Sequence, residues 1–256
     1  MGSIYTLHQT GPAQRAAQIS CNTACPRHAY CLLSGVGIET RRQLERLIGR
    51  PKILQRGQRL FTAGKTGDDL YLINSGSFKA YVDSDSGEEQ ITGFHFASDL
   101  LGFDAMESGK HTYTVEVLET ASVCCIPFAD LQYLARNDLQ LNRLLLKKMC
   151  RQLGDERRTI FMLGRMSAEQ RLAHFFLKLS AVMQECGCVA DQINLSMPRH
   201  DIANYLGLAL ETVSRLLHRF QNSGLLQVAH RDVQLLNVAG LQQIVRQGEE
   251  RLARAH

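Results

Sequence analysis

The chain contains 256 residues, of which 45% are hydrophobic and 21% are charged, and its formal net charge is +4. These proportions are those of an ordinary globular protein, which excludes a disordered or fibrous chain, and the length suits two domains. No apolar run reaches the roughly 18–20 residues that cross a bilayer, so we expect no membrane partner. Residues 1–20 show neither a sustained hydrophobic period nor a signal-like apolar stretch. We therefore predict a flexible tail on a cytoplasmic protein.

Three of the eight cysteines follow this tail closely, at Cys21, Cys25 and Cys31. In a reducing compartment, a local cluster of this kind is typical of a metal or redox site rather than of a disulfide framework. Thiolates hold iron–sulfur clusters, and three local ligands would need a fourth ligand from elsewhere in the chain. His28 lies inside the cluster and leaves a zinc site open, and thiol chemistry without a metal is a further alternative.

The next segment predicts a helix over about 38–49, ended by Pro51, and then a set of short strands. From about 52 to 128, short apolar runs alternate with glycine or Asp/Ser turns, which is typical of a sandwich or a roll. Cys124 and Cys125 lie on the last predicted strand. Because adjacent strand residues point to opposite faces, we expect only one of these two thiols to face a cluster.

After Pro127 the pattern becomes helical, with a short helix and then a long helix that Asn137 or Asp138 can cap. Residues of the long helix repeat with the heptad spacing of a dimer seam, and this predicts a homodimer. The seam residues are Leu146, Met149, Leu153, Glu156, Ile160 and Leu163. The two copies of Glu156 would repel each other across a symmetric dimer, which predicts a poised monomer–dimer equilibrium. Alternatively, Glu156 tilts into solvent or pairs with Arg157 or Arg158.

Within residues 166–256, the segment 198–220 carries two short apolar stripes separated by Gly207. Two short helices joined by a glycine turn predict a helix-turn-helix, with an ordinary helical hairpin as the alternative. The start of the second helix presents polar side chains that can meet base edges in the major groove. Arg199 and Arg219 are placed to reach phosphates.

Several strings of this sequence resemble the cyclic-AMP receptor/fumarate-nitrate reduction regulator superfamily. They are GLALETVSRLLHRFQNSGLL (207–226), ITGFHFASDLLGFDA (91–105) and LETASVCCIPF (118–128). The resemblance covers roughly residues 20–240 and is closest to the oxygen-responsive branch. It implies an α+β protein whose parts are the cysteine segment with a β-roll sensor (21–136), a dimerisation helix (137–165) and a winged helix-turn-helix domain (166–256).

The same resemblance implies a [4Fe-4S] cluster whose fourth ligand, after Cys21, Cys25 and Cys31, is Cys124. It implies a DNA palindrome similar to TTGAT-N4-ATCAA, read by Glu211, Ser214 and Arg215. It further implies activation through RNA polymerase, which would touch the loop 83–89 and the neighbourhood of Thr92 and Gly93. The chain departs from the branch in one respect, because three residues rather than two separate its first two cysteines.

Other function classes lack their motifs in this chain. No arginine lies between Arg59 and Arg136 to bind a nucleotide phosphate, so we expect no cyclic-AMP effector. The phosphate-loop, nucleophile-elbow, zinc-protease and dinucleotide-binding motifs are absent, so no enzyme is predicted. The alternative is a regulator of the same fold that responds to another small molecule or to thiol redox. Cys150, Cys186 and Cys188 are predicted to be structural thiols, with a Cys-x-Cys redox pair as the alternative.

Overall fold

The computed structural model describes residues 36–48, 50–84, 87–185 and 188–253, with side chains described as far as Arg246. Its architecture confirms the predicted α+β class: a β-rich N-terminal domain, a long helix and a C-terminal helix-turn-helix domain. The predicted tail and the three clustered cysteines lie outside the described residues.

Eight short strands build the N-terminal roll as two four-stranded antiparallel sheets. One sheet has the order β1-β8-β3-β6 and the other the order β2-β7-β4-β5. The strands are β1 (Lys52–Leu54), β2 (Arg59–Phe61), β3 (Asp69–Ser75), β4 (Ser77–Asp83), β5 (Glu89–Phe96), β6 (Leu100–Leu101), β7 (Thr114–Val117) and β8 (Ala121–Pro127). Inward-facing side chains of both sheets, such as Phe78 of β4 and Val123 of β8, make the core of the roll.

The turn between β3 and β4 depends on Gly76. Its φ of +84° is a left-handed conformation that side chains with a Cβ adopt only with strain. A Cβ at this position would also lie 2.6 Å from the Cβ of Ala121 on the neighbouring strand β8. Glycine therefore lets these two sheet segments approach each other closely.

Helices cover the other face of β3 and β8. They are α1 (Ile38–Leu47) and α3 (Phe128–Asn137), whereas the short α2 (Ala105–Ser108) lies between β6 and β7 in the chain. Leu44 of α1 and Leu131 of α3 are fully buried in an apolar cluster with Leu70, Leu72 and Ile126 of the sheet. The N-terminal helix is thereby held against the strand that carries the two adjacent cysteines.

The long helix α4 (Leu139–Arg165) begins at Asp138, whose side chain accepts hydrogen bonds from the backbone N–H groups of Gln140 (2.8 Å) and Leu141 (3.0 Å). This is a helix cap of the kind that the sequence predicted. Thr40 of α1 donates a hydrogen bond to the same carboxylate, so α1 and the start of α4 are joined by one side chain.

The C-terminal domain packs four helices with a small sheet of order β10-β11-β9. Its elements are α5 (Ala168–Glu185), β9 (Gln192–Asn194), α6 (Arg199–Leu206), α7 (Leu210–Asn222), β10 (Leu226–Ala229), β11 (Asp232–Leu235) and α8 (Val238–Ala253). The β10–β11 hairpin turns at His230 and Arg231, where the sequence predicted a turn. The domain is a helix-turn-helix followed by a wing.

The two domains share an apolar core. Tyr81, Ile91 and Phe94 of the roll belong to the same buried cluster as the side chains of the C-terminal domain. The rings of Phe94 and Tyr205 meet edge to face, with their centroids 5.2 Å apart.

Polar groups reinforce this interface. Asn204 of α6 binds the edge strand β5 through two backbone groups, because its Nδ2 donates to Glu89 O and its Oδ1 accepts from Ile91 N, each at 2.7 Å. Lys79 is nearly buried among the carboxylates of Glu89 (3.3 Å), Glu116 and Asp201 (3.8 Å each). Burial alone would lower the pKa of Lys79, but these carboxylates outweigh it and raise the pKa.

Candidate functional site

Helices α6 and α7 are joined by a tight turn at Gly207, whose φ is +60°. The apolar stripes that the sequence singled out face inward: Ile202, Ala203 and Leu206 of α6 are buried, as are Val213, Leu217 and Phe220 of α7. The remaining face of α7 is therefore free to meet another molecule, which is the arrangement of a helix-turn-helix that enters the major groove of DNA.

The predicted base-reading residues lie on this outward face. Glu211 and Arg215 are exposed and Ser214 is half-buried. The Arg215 guanidinium stays close to its own helix, where Nη2 donates a 3.4 Å hydrogen bond to Thr212 Oγ1. An arginine and a carboxylate one helical turn apart can bind guanine and cytosine edges.

The two predicted phosphate-binding arginines have different surroundings. Arg199 is the exposed first residue of α6, whereas Arg219 lies near the end of α7 with Nη1 3.6 Å from Glu169 Oε2.

The sequence predicted the wing turn but assigned no role to its side chains. His230 and Arg231 are exposed at its tip, and their basic character beside Asp232 was the signal that could have marked them.

Helix α4 exposes an apolar stripe along the predicted dimer seam. The exposed fractions are 55% for Leu146, 38% for Met149, 48% for Leu153 and 71% for Ile160. Leu139, one heptad earlier, is 73% exposed and extends the stripe beyond the predicted set. Large apolar side chains repeated at heptad spacing on one helix are typical of a coiled-coil seam.

Two seam residues, Glu156 and Leu163, have contacts that differ from those of the exposed apolar stripe. Glu156 is exposed and accepts a 3.4 Å hydrogen bond from Gln152, while Arg158 pairs with Asp155 instead. Leu163 is half-buried and packs within its own chain against the apolar cluster of the C-terminal domain.

Cys124 of β8 is buried and faces the helices α1 and α3. The Nδ2 of Asn74 lies 3.0 Å from its sulfur and donates a hydrogen bond to it. Cys125 points to the opposite face, as the strand alternation predicted. There, burial and a hydrogen bond with Asp69 raise the pKa of the Cys125 thiol to about 12.

Cys21, Cys25 and Cys31, together with His28 and Cys186, lie outside the described residues. Across the part of the chain that the structure describes, no three His, Cys, Asp or Glu side chains are grouped to hold a metal. Cys124 fits the chemistry of one thiolate ligand, because it is sheltered from water and its sulfur receives an N–H donor. Cys150 and Cys188 are exposed, and neither belongs to the buried apolar cluster that contains Cys124.

A cavity of about 460 Å³ lies between β5, α4 and α5. Carboxylates of Asp99, Asp155 and Glu156 line it, and Lys148 at its wall donates to Ser98 O at 2.9 Å. The guanidinium of Arg151 is bound by Glu185 at 2.6 Å. The lining carries four carboxylates and three cationic side chains, those of Lys148, Arg151 and Lys178, so its positive and negative charges nearly balance.

None of the helices in the described ranges combines the length and the apolar character that crossing a bilayer requires.

Comparison with known sequences assigns both domains. The sequence model of the cyclic nucleotide-binding domain matches residues 51–138, and that of the Crp-like helix-turn-helix domain matches residues 170–244. The chain is 40% identical over 213 residues to the transcriptional activator protein Anr of Pseudomonas protegens, covering 83% of this chain and 87% of that protein. It is 43% identical over 202 residues to the fumarate and nitrate reduction regulatory protein of Escherichia coli K12, covering 79% and 81%.

Comparison with solved structures agrees. FixK2 from Bradyrhizobium japonicum superposes with a TM-score of 0.71 at 28% identity, over 77% of this chain and 98% of that one. The relatives are regulators of transcription, which confirms the prediction that this chain is not an enzyme. With a roll, a helix-turn-helix and relatives of this identity, the chain belongs to the CRP/FNR family of DNA-binding transcription regulators.

Proposed function

We propose that this regulator is an oxygen-responsive activator that binds a [4Fe-4S] cluster through Cys21, Cys25, Cys31 and Cys124. It works in the cytoplasm as a homodimer on a TTGAT-N4-ATCAA-like palindrome and contacts RNA polymerase. The observation that carries the proposal is the buried sulfur of Cys124, which faces the first described helix and receives the Asn74 N–H.

The connection from the clustered cysteines to this sulfur is short. Six residues lie between Cys31 and the start of α1 at Ile38, and the seven residue steps from Cys31 to Ile38 span at most about 25 Å. Leu44 of α1 belongs to the same apolar cluster as Cys124. This short connection supports ligation of one cluster by the clustered thiols and Cys124, and a bound cluster would supply oxygen-sensitive redox chemistry there.

Contacts of α1 connect this site to the dimer helix. Thr40 donates to the Asp138 carboxylate that caps α4, so a change in how α1 is held acts directly on the first turn of that helix. Ligation that orders residues 21–31 would favour the dimer in proportion to its differential affinity for the two states. The dimer would then present two α7 helices about one DNA turn apart.

The test is iron and sulfide quantification on protein purified without oxygen. We expect about four irons and four sulfides per wild-type chain, as a [4Fe-4S] cluster requires. Single Cys→Ser variants at 21, 25, 31 and 124 are expected to lose them, with loss of operator binding. Cys150→Ser is the matched control, because this exposed thiol lies on α4 away from Cys124. A wild-type protein without iron, or full operator binding by the four variants, would refute the proposal.

A second candidate is a regulator of the same fold that responds to a small molecule. The 460 Å³ cavity beside α4 favours it, because a ligand bound there would touch both domains. A colourless anaerobic protein that binds DNA only when a small molecule is added would support this alternative.

A further inference from the structure

One guanidinium joins the end of the dimer helix to the turn of the helix-turn-helix. Arg171 of α5 donates from Nη2 to Leu163 O (2.7 Å) and from Nε to Met166 O (3.0 Å), both at the C-terminal end of α4. Its Nη1 donates to Leu206 O (2.9 Å) and meets Gly207 O at 3.5 Å, both at the C-terminal end of α6. Arg171 therefore binds the ends of two helices at once.

These carbonyl groups lie at helix ends, where the last C=O groups lack intrahelical partners and carry partial negative charge. Within the described residues, no carboxylate lies within ion-pair distance of Arg171, so its charge is matched by helix ends alone. The turn itself is in contact with α4, because a Cβ on Gly207 would lie 3.4 Å from both Leu163 Cδ2 and Arg171 Nη1. The C-terminal end of α4 is thus packed against the turn that precedes α7, the recognition helix.

We propose that Arg171 is a positioning residue that fixes the direction of the recognition helix relative to the dimer helix. In the proposed dimer, on which this inference rests, it sets the separation of the two recognition helices and hence the half-site spacing that the protein accepts. A lysine cannot replace it fully, because one ammonium group lacks the planar fork that reaches carbonyls in three directions.

The test selects binding sites from duplexes with a randomised region of about 40 base pairs, using full-length protein prepared without oxygen. We expect the wild type to select two half-sites at one spacing, because one added base pair moves a half-site by about 3.4 Å and rotates it by about 35°. Arg171→Met is expected to select the same half-site bases over several spacings. Spacing preference is the ratio of the affinity for the preferred spacing to the affinity for a spacing one base pair longer. This ratio should be about fivefold smaller in Arg171→Met than in the wild type, and Arg171→Lys should have an intermediate ratio.

Arg165→Met is the matched control, since it removes an exposed arginine from the same joint that makes no hydrogen bond to the described residues. It should keep the wild-type spacing ratio. If Arg171→Met does not fold by circular dichroism, Arg171→Lys carries the same test. An unchanged spacing ratio in a folded, dimeric Arg171 variant, or altered bases within the half-sites, overturns the inference. A wild type that selects only single half-sites instead refutes the proposed dimer.

Discussion

At the scale of single residues, Asn74 is the side chain that donates a hydrogen bond to the Cys124 sulfur. Hydrogen bonds to ligand sulfurs are among the factors that set the potential of an iron–sulfur centre. The N–H of Asn74 withdraws electron density from the sulfur, so its removal should make oxidation easier.

If Cys124 holds the proposed cluster, Asn74→Ala should keep normal iron content but bleach about fivefold faster near 400 nm in air, the factor that about 1 kcal/mol of hydrogen-bond energy represents. The measurement is absorbance against time after mixing with air-saturated buffer. Asn137→Ala is the control, because its amide donates to Tyr133 O of its own helix. Equal bleaching rates in the Asn74 variant and the wild type would contradict the assignment.

Arg215 and Arg199 are expected to differ in how they bind DNA. Arg215→Ala should weaken binding by about 1–3 kcal/mol and relax the preference at one base position, since the role predicted for this arginine on the outer face of α7 is to bind a base edge. Arg199→Ala should weaken binding to all sequences alike and reduce the salt slope by about one. Fluorescence anisotropy against salt concentration, on matched and single-mismatch duplexes, separates these outcomes. A uniform loss for Arg215→Ala would place it on a phosphate instead.

The outward direction of Glu211 and Arg215 followed from helical periodicity, because neighbours in sequence decide which face of a helix is apolar. The contacts of Asn74 with Cys124 and of Arg171 with Leu206 span 50 and 35 residues. Such contacts depend on how distant segments pack, and no local pattern predicts them.

At the scale of secondary-structure elements, α4 depends on Asp138. The hydrogen bond from Thr40, and then those from the backbone N–H of Leu141 and Gln140, hold the pKa of this carboxyl below its usual range. A group whose folded-state pKa is depressed stabilises the fold fully above its unfolded pKa near 4, and this stability is lost as pH falls through the folded value.

Asp138→Asn keeps a side-chain oxygen that can cap α4 but removes the negative charge at the N-terminus of the helix, so it should lower the free energy of unfolding by about 0.3–1 kcal/mol at pH 7. The difference from wild type should shrink as pH falls below 4. Urea unfolding followed by circular dichroism at several pH values measures it. Asp130→Asn, in the first turn of α3, provides a control on a neighbouring helix. A difference that stays constant down to pH 3 would contradict the assigned cause.

The seam of α4 is predictable from heptad spacing over most of its length, since Leu146 to Ile160 are exposed on one stripe. Its end was not predictable. Leu163 packs against the C-terminal domain, whose position depends on contacts such as that with Gly207. Spacing alone cannot show which of two partners a helix side chain will meet.

For the proposed dimer, Glu156→Ala should strengthen association about tenfold, because it removes a pair of like charges near the axis. Sedimentation equilibrium of the iron-free protein over a range of concentrations measures the dissociation constant. Glu107→Ala, which removes an exposed carboxylate from α2, should leave the constant unchanged. An unchanged constant in Glu156→Ala would mean that this carboxylate lies outside the interface.

At the scale of the whole molecule, Lys79 lies where the roll meets α6. Its side chain is 9% exposed and that of Asp201 is 5% exposed, so a neutral side chain here would leave the buried Asp201 carboxylate without this cation. Because the folded-state pKa of Lys79 is raised, its contribution is complete at pH 7 and is lost only in strongly alkaline solution.

Lys79→Met should lower the free energy of unfolding by about 3–5 kcal/mol at pH 7, the usual cost of removing one partner from a buried ion cluster. Urea unfolding measures it, with the exposed Lys65→Met as the control. A loss below about 1 kcal/mol would mean that water reaches the carboxylates.

The two-domain organisation of the chain was evident from the change from strand to helix patterns after Pro127. The docking of one domain on the other was not evident, because Asn204 recognises backbone groups of β5 rather than any particular side chain. Since every residue type offers the same backbone carbonyl, the sequence of β5 does not indicate that a side chain of α6 binds it.

The apolar cluster shared by the roll and the winged domain constrains how this architecture can be recombined. A fragment cut after Arg165 would turn Tyr81, Ile91 and Phe94 toward water, so it should aggregate rather than behave as an autonomous module. Grafting a foreign winged domain onto this roll would require a helix that brings an amide side chain to β5 and an aromatic ring to Phe94. Hybrid regulators that join the halves only through the connection from α4 to α5 should therefore fail to fold, and those that transplant α6 with its roll-facing surface should fold.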